Sequence, residues 1–243
     1  MSVFEKTIEE IVEENFLYGR ALHHLGIDFF AMKKSTLSDI CIARGLDRRS
    51  VIRNFYKFDG SARLPFRQIA EYPVPLLIRF LKHSHTTYIK EYLPYVGKLL
   101  DKLPEDDLDT VKDLKEVFPL FVEDFINHIF EEEDELFEYL SVLSKFNRSK
   151  RVPPIKDLLP YFNISLIELR EHHQIDDEMS SMRELIQELP LKTLEMRIIV
   201  RELKAFDREL LYHAEIEDQI LFPRAIELEQ NVWEKVNSFA KVN

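Results

Sequence analysis

One ten-residue pattern occurs twice in this chain, at His128-Ile-Phe-Glu-Glu132-Glu-Asp-Glu-Leu-Phe137 and at His213-Ala-Glu-Ile-Glu217-Asp-Gln-Ile-Leu-Phe222. Both copies read His-x3-Glu-(Glu/Asp)-x2-Leu-Phe. A spacing of four sets the His and the Glu on one helix face, with their Cβ atoms about 6 Å apart. Leu136, Phe137, Leu221 and Phe222 then flank that face as packing residues. A helix that carries a His and a Glu in its apolar stripe buries groups that cost roughly several kcal/mol unless compensated. Either the two side chains pair with each other or a metal ion satisfies both. The register of the repeat selects Glu132 over Glu131 and Glu133, since Glu132 is the residue that matches Glu217.

The rest of the chain supplies the helices such a site requires. Only five glycines occur among 243 residues, and 32% of the residues are charged, a balance that favours helices over sheets. An all-α fold is expected. Thr36 and Asp39 open a short helix that Gly45 ends, and Asp47 caps a further one running to about Phe58. The stretch Asp59-Gly-Ser-Ala-Arg-Leu-Pro65 reads as a linker, which divides the chain into a small helical domain over 1–62 and a larger helical domain over 70–240. The larger part contains four long helical tracts, about Val74–Leu103, Leu108–Lys145, Ile155–Leu189 and Leu191–Val236. Prolines 94, 119, 160 and 223 are expected to kink or split them. The connections Leu103-Pro-Glu-Asp and Leu189-Pro-Leu-Lys are short, so antiparallel neighbours and a four-helix bundle are expected.

Every one of the four tracts carries histidine: His83 and His85, then His128, then His172 and His173, then His213. Two ions can therefore share a carboxylate from each repeat while imidazoles from the four helices complete the set. Mixed imidazole and carboxylate donors suit iron, manganese or zinc, and the single cysteine, Cys41, lies outside the bundle. On its own a His-x3-Glu pair is an ordinary solvent-facing hydrogen bond, and the run Glu131–Glu135 a solvated acidic face. The repetition within one apolar frame, with imidazoles on the partner helices, favours the metal. A net charge of −11 argues against nucleic acid as a partner. One cysteine, an acidic N-terminus and no run of about 20 apolar residues point to a cytoplasmic protein without a membrane span.

These motifs resemble the hemerythrin-like di-iron proteins, specifically the family for repair of iron centres (iron–sulfur cluster repair). The likeness extends over nearly the whole chain. His128 and Glu132 match one family helix, and His213, Glu217 and Leu221-Phe-Pro-Arg-Ala225 match the last. Glu171-His172-His173-Gln-Ile-Asp176 is similar to the family's Glu-His-Asp-x-x-Gly, which implies His172 as the third-helix ligand. On the first helix the family places a His seven residues before Leu-Pro, where this chain has Thr86. His85, one residue earlier, is expected to serve if a local bulge turns it inward; His83, about 200° away on a regular helix, is the alternative. Gly26-Ile-Asp28-Phe-Phe30, Ser35-Thr-Leu-Ser-Asp-Ile-Cys41 and Gly45-Leu-Asp47 resemble the family's N-terminal domain, but Phe29-Phe30-Ala31 stand where the family has cysteines.

The resemblance implies two non-haem iron ions held by His85, His128, Glu132, His172, His213 and Glu217. It implies a role in repairing iron–sulfur clusters damaged by nitric oxide or oxidative stress, with nitric oxide or oxygen as ligand and damaged iron–sulfur proteins as partners. A hemerythrin-like protein that binds or senses oxygen or nitric oxide is the alternative. The small N-terminal domain could pair two chains through Phe16, Leu17, Phe29 and Phe30.

Overall fold

The computed structural model describes residues 2–59, 64–103, 109–149, 155–161, 163–175, 177 and 179–240. The centre of the expected linker, the connection after Leu103 and Asp176 of the third-helix motif lie outside the described residues. Among the described residues there is no β-strand, only an isolated bridge between Thr7 and Thr36, and the fold is all-α. No described helix is long and apolar enough to cross a membrane.

Local chemistry sets the N-terminal helices. Thr7 and Glu10 form a reciprocal capping box that starts α1 (Ile8–Glu14). After α2 (Tyr18–His24), the Thr36 hydroxyl caps α3 (Leu37–Arg44). Gly45 ends α3 at φ 63°, a left-handed conformation that favours glycine. Asp47 accepts from the Ser50 amide and starts α4 (Arg48–Phe58). The helices that follow are α5 (Phe66–Ile69), α6 (Val74–Thr87), α7 (Leu93–Leu100), α8 (Asp109–Glu131) and α9 (Glu138–Arg148). Then come α10 (Leu166–Ile175), α11 (Ser180–Glu188), α12 (Leu194–Ile216) and α13 (Phe222–Ala240). The third tract expected from sequence is thus two short 3₁₀ turns followed by the separate helices α10 and α11.

The other three tracts are each continuous through a π-helical segment: Tyr88–Tyr92, Glu132–Phe137 and Glu217–Leu221. Pro94 and Pro223 each stand second in the α-helix after such a segment. A proline in a helix frees the carbonyl four residues back, here Lys90 and Gln219, and the wider π turn accommodates that lost bond. Pro119 lies inside α8.

The chain divides into two compact units. The first comprises 1–63, 91–118 and 181–207, so the N-terminal helices share it with segments of the later tracts. Tyr18 stacks on Phe55 and Tyr92 on Phe206, and Phe29 and Phe30 are buried in its interior. Arg20 holds the fully buried Glu202 through Nε and Nη2 at 2.8 and 2.5 Å.

The second unit comprises 64–90, 119–180 and 208–243. Its core is apolar throughout, with Leu77 and Leu81 of α6, Leu140 and Leu143 of α9, Leu166 of α10, and Ala225 and Val232 of α13. Arg224 donates to the carbonyls of Ala70 and Tyr72, and the Tyr212 hydroxyl donates to that of Leu64, tying the α5 segment to this core. All the side chains described next belong to this second unit.

Candidate metal centre

His85, His213 and Glu217 are buried in a unit whose interior is otherwise almost wholly apolar. The three sit on three different elements, together with Glu132, whose side chain is 7% exposed. His85 is in the last turn of α6, immediately before the first π segment. Glu132 and Glu217 are the first residues of the other two. The bulge expected near His85 is therefore present, as the π segment Tyr88–Tyr92, and it is His85 rather than the exposed His83 that faces inward.

The donor atoms converge. His85 Nε2 lies 2.9 Å from His213 Nε2 and 3.4 Å from Glu132 Oε2, and His213 Nε2 lies 3.0 Å from Glu217 Oε1. One ligand atom from each of these four residues falls within a 4.8 Å span. Around an ion with bonds of about 2.1 Å, neighbouring donors at right angles stand about 3.0 Å apart. The spacings here are of that size, and the donor set fits a divalent transition metal.

A second pair of imidazoles continues the arrangement. His173 Nε2 lies 3.0 Å from Glu217 Oε2, the other oxygen of the same carboxylate. The rings of His128 and His173 are 6.3 Å apart. His85, His128, Glu132, His173, His213 and Glu217 all line one cavity of about 40 Å³, closed on its apolar side by Tyr88, Phe125, Ile129 and Leu210. A cavity of about 190 Å³ shares His128, Glu132 and His173 with it and is walled by Glu131, Glu135 and His172.

The third-helix residue differs from the sequence expectation. His172 is exposed on the wall of the larger cavity, and its neighbour His173 reaches Glu217. One residue is a rotation of about 100° on an α-helix, so the two rings cannot share a direction. The tandem histidines mark the helix, but its phase is set by how Leu166 packs into the core.

The electrostatics follow from burial and pairing. Burial, then the neighbouring His213, pushes His85 down to about 4, so its ring is neutral. Burial acts downward on His173 too, but the hydrogen bond and charge of Glu217, with Asp218 behind, outweigh it and lift that ring to about 9. Full burial would raise Glu217, yet His213 and His173 hold it well below the ordinary carboxylate range. The imidazolium of His173 thus supplies positive charge beside a buried carboxylate, and a metal cation would take over that role by displacing the proton.

Sequence reading left three neighbours of these groups unassigned. Glu133 Oε1 lies 3.0 Å from His85 Nδ1, Asp218 Oδ1 lies 3.3 Å from His173 Nδ1, and Tyr88 sets its ring edge-on to His213. The first two are the second acids of the repeated pattern, so the repeat itself was the available signal. No known family, curated protein or solved structure matches this chain.

Proposed function

We propose that this chain is a hemerythrin-like di-iron protein that serves in the repair of iron–sulfur clusters damaged by nitric oxide or oxidants. The observation that carries the reading is the single cavity lined by four imidazoles and two carboxylates drawn from four helical tracts. Bundle di-metal sites are built in that way, from inward-facing carboxylates and histidines on facing helices. In this assignment His85 and His213 would hold one ion and His128 and His173 the other, with Glu132 and Glu217 as the carboxylate ligands. The assignment replaces His172 by His173 in the expected ligand set.

Iron held there would supply a binding site for a diatomic molecule and a store of metal for a damaged cluster. The chain's own residues set the conditions. Tyr88, Phe125, Ile129 and Leu210 exclude bulk water from one side, and about 40 Å³ leaves space for a molecule the size of a diatomic. Glu217 stays ionised in the interior and offers both of its oxygens, one to each pair of histidines. The larger cavity, walled by Glu131, Glu135 and His172, offers an acidic approach for a cation on the side of His128 and His173.

The test is metal analysis on untagged protein, followed by repair. About two irons per chain are expected, reduced below one in a His213→Ala variant. The iron-loaded protein is then expected to react with nitric oxide and to restore activity to a cluster enzyme inactivated by it. Binding of two irons without any restoration would sink the repair role and leave the oxygen- or nitric-oxide-binding reading. Failure to bind iron would remove both.

A further inference from the structure

The two copies of the repeated pattern share more than a His and a bridging Glu. Each also has an acid at the next position and a Phe four residues beyond that. In the first copy Glu133 Oε1 accepts from His85 Nδ1 at 3.0 Å, and Phe137 stacks on the His85 ring at 5.7 Å with planes 8° apart. In the second copy Asp218 Oδ1 lies 3.3 Å from His173 Nδ1, and Phe222 packs on the His173 ring at 5.5 Å. The acid and the Phe are four residues apart and so lie on one helix side. In neither copy do they hold the histidine of their own helix. Each pair holds the histidine of another helix, α6 in one case and α10 in the other.

We propose that Glu133 and Asp218 are positioning residues, each of which, with its Phe, locks the imidazole of a neighbouring helix so that Nε2 is the metal-binding nitrogen. The proposal rests on the di-metal reading above. The physical argument is one of tautomer and aim. A carboxylate at Nδ1 fixes the N–H there, leaves the Nε2 lone pair free, and prevents the ring from flipping. His85 Nε2 then points at His213 and Glu132, and His173 Nε2 at Glu217. The aromatic face fixes the remaining rotation. The π segments that begin at Glu132 and Glu217 make the arrangement possible. Successive residues of an α-helix diverge by about 100°; the wider π turn brings them closer in direction, so adjacent acids can serve one site, one inside and one behind. The clamps differ in one respect: Glu133 also meets Lys82 Nζ at 3.1 Å, while the Arg170 contact on Asp218 is to its backbone carbonyl, at 3.4 Å.

The experiment titrates Co2+ into the full-length metal-free chain against a chromophoric chelator and records the visible spectrum of the bound ion. Glu133→Gln and Asp218→Asn keep side-chain size and remove charge. Each is expected to bind Co2+ about 10- to 100-fold more weakly, with an altered spectrum, unchanged helical circular dichroism and about two ions per chain at saturation. Asp134→Asn, an exposed acid in the same run, is the charge control and is expected to match the parent. Parent affinity and spectrum in both variants would overturn the positioning role while leaving the di-metal site standing. An equal loss in Asp134→Asn would overturn it as well, by reducing the effect to net charge. A parent chain that takes up no Co2+ or iron would remove the di-metal reading and this proposal with it.

Discussion

His85 and His213 bring their Nε2 atoms to 2.9 Å across 128 residues of sequence, each beside a glutamate from a repeated motif. Two imidazole nitrogens at that separation can share one proton or one ion. An ion bound there is expected to stabilise the fold. At a free concentration 100 times the dissociation constant, an ion adds about 2.7 kcal/mol to the unfolding free energy. The expected result is an upward shift of the thermal midpoint when iron or Co2+ is added to the parent, and almost none in His85→Ala or His213→Ala. Differential scanning calorimetry of the three proteins with and without metal checks this.

The tandem pair on α10 separates by position. His173→Ala is expected to lose at least one ion per chain, because it removes the imidazole that meets Glu217 Oε2 at 3.0 Å. His172→Ala changes an exposed ring and is expected to keep the parent stoichiometry. Elemental analysis after equilibrium dialysis distinguishes the two. Retention of both ions by His173→Ala would remove that residue from the ligand set.

In the first unit the Arg20–Glu202 pair makes a separate prediction about stability. Burial raises the Glu202 carboxyl above its ordinary range even with Arg20 beside it. Arg20 also stacks over Tyr92 at 4.4 Å, and the Tyr92 hydroxyl donates to the Glu202 carbonyl. Arg20→Ala leaves that carboxylate buried without its counter-charge, at a cost of about 3 kcal/mol. Lysine is expected to rescue it only in part, since it lacks the planar fork and the stacking face. Replacing both partners, with Arg20→Met and Glu202→Leu, is expected to cost far less than Arg20→Ala alone. Urea unfolding midpoints of the four proteins provide the comparison.

Alkaline pH destabilises the chain through its buried phenols. Burial, and then the charge of Glu202, holds Tyr92 and Tyr95 well above the ordinary tyrosine range. Burial and the Glu229 carboxylate, 2.5 Å from its hydroxyl, raise Tyr139 likewise. Above pH about 10 the unfolded chain has lost these protons and the folded chain keeps them. The folded state then binds more protons, so stability falls as pH rises. Following phenolate absorbance and helical circular dichroism together, the last tyrosines are expected to ionise only as the helices melt.

Much of this was legible in the sequence, and the rest was hidden for definable reasons. The all-α fold, the capping residues Thr36 and Asp47 and the convergence of Glu132 with Glu217 follow from local signals and a repeat with fixed spacing. His85 required a bulge, which the offset of one residue from Leu93-Pro94 betrayed. The choice between His172 and His173 depended on the phase of a ten-residue helix with few core contacts, which no spacing rule supplies. Glu133 looked like a member of a solvated acidic run, and Asp218 carried no signal beyond the repeat, because their partners come from other helices. Glu202 had a usable signal: it lies among Ile198, Ile199, Leu203 and Phe206, all buried, in the apolar stripe of α12.

The three π segments make the helices that carry them sensitive to length rather than to composition. Each adds backbone to a tract whose α-helical continuation is packed on a core, Leu140 and Leu143 after one, Ala225 and Val232 after another. Deleting one residue between Glu133 and Leu136 would remove the surplus residue and leave a plain α-helix whose later turns keep their phase on the core. The loss would be local, since the wide turn that lets Glu132 and Glu133 face one site would be gone. A point substitution in the same stretch disturbs one contact; a one-residue deletion disturbs both acids at once. Away from the cavity lining these tracts are built to tolerate substitution, whereas changes of length are best absorbed in the connections between them.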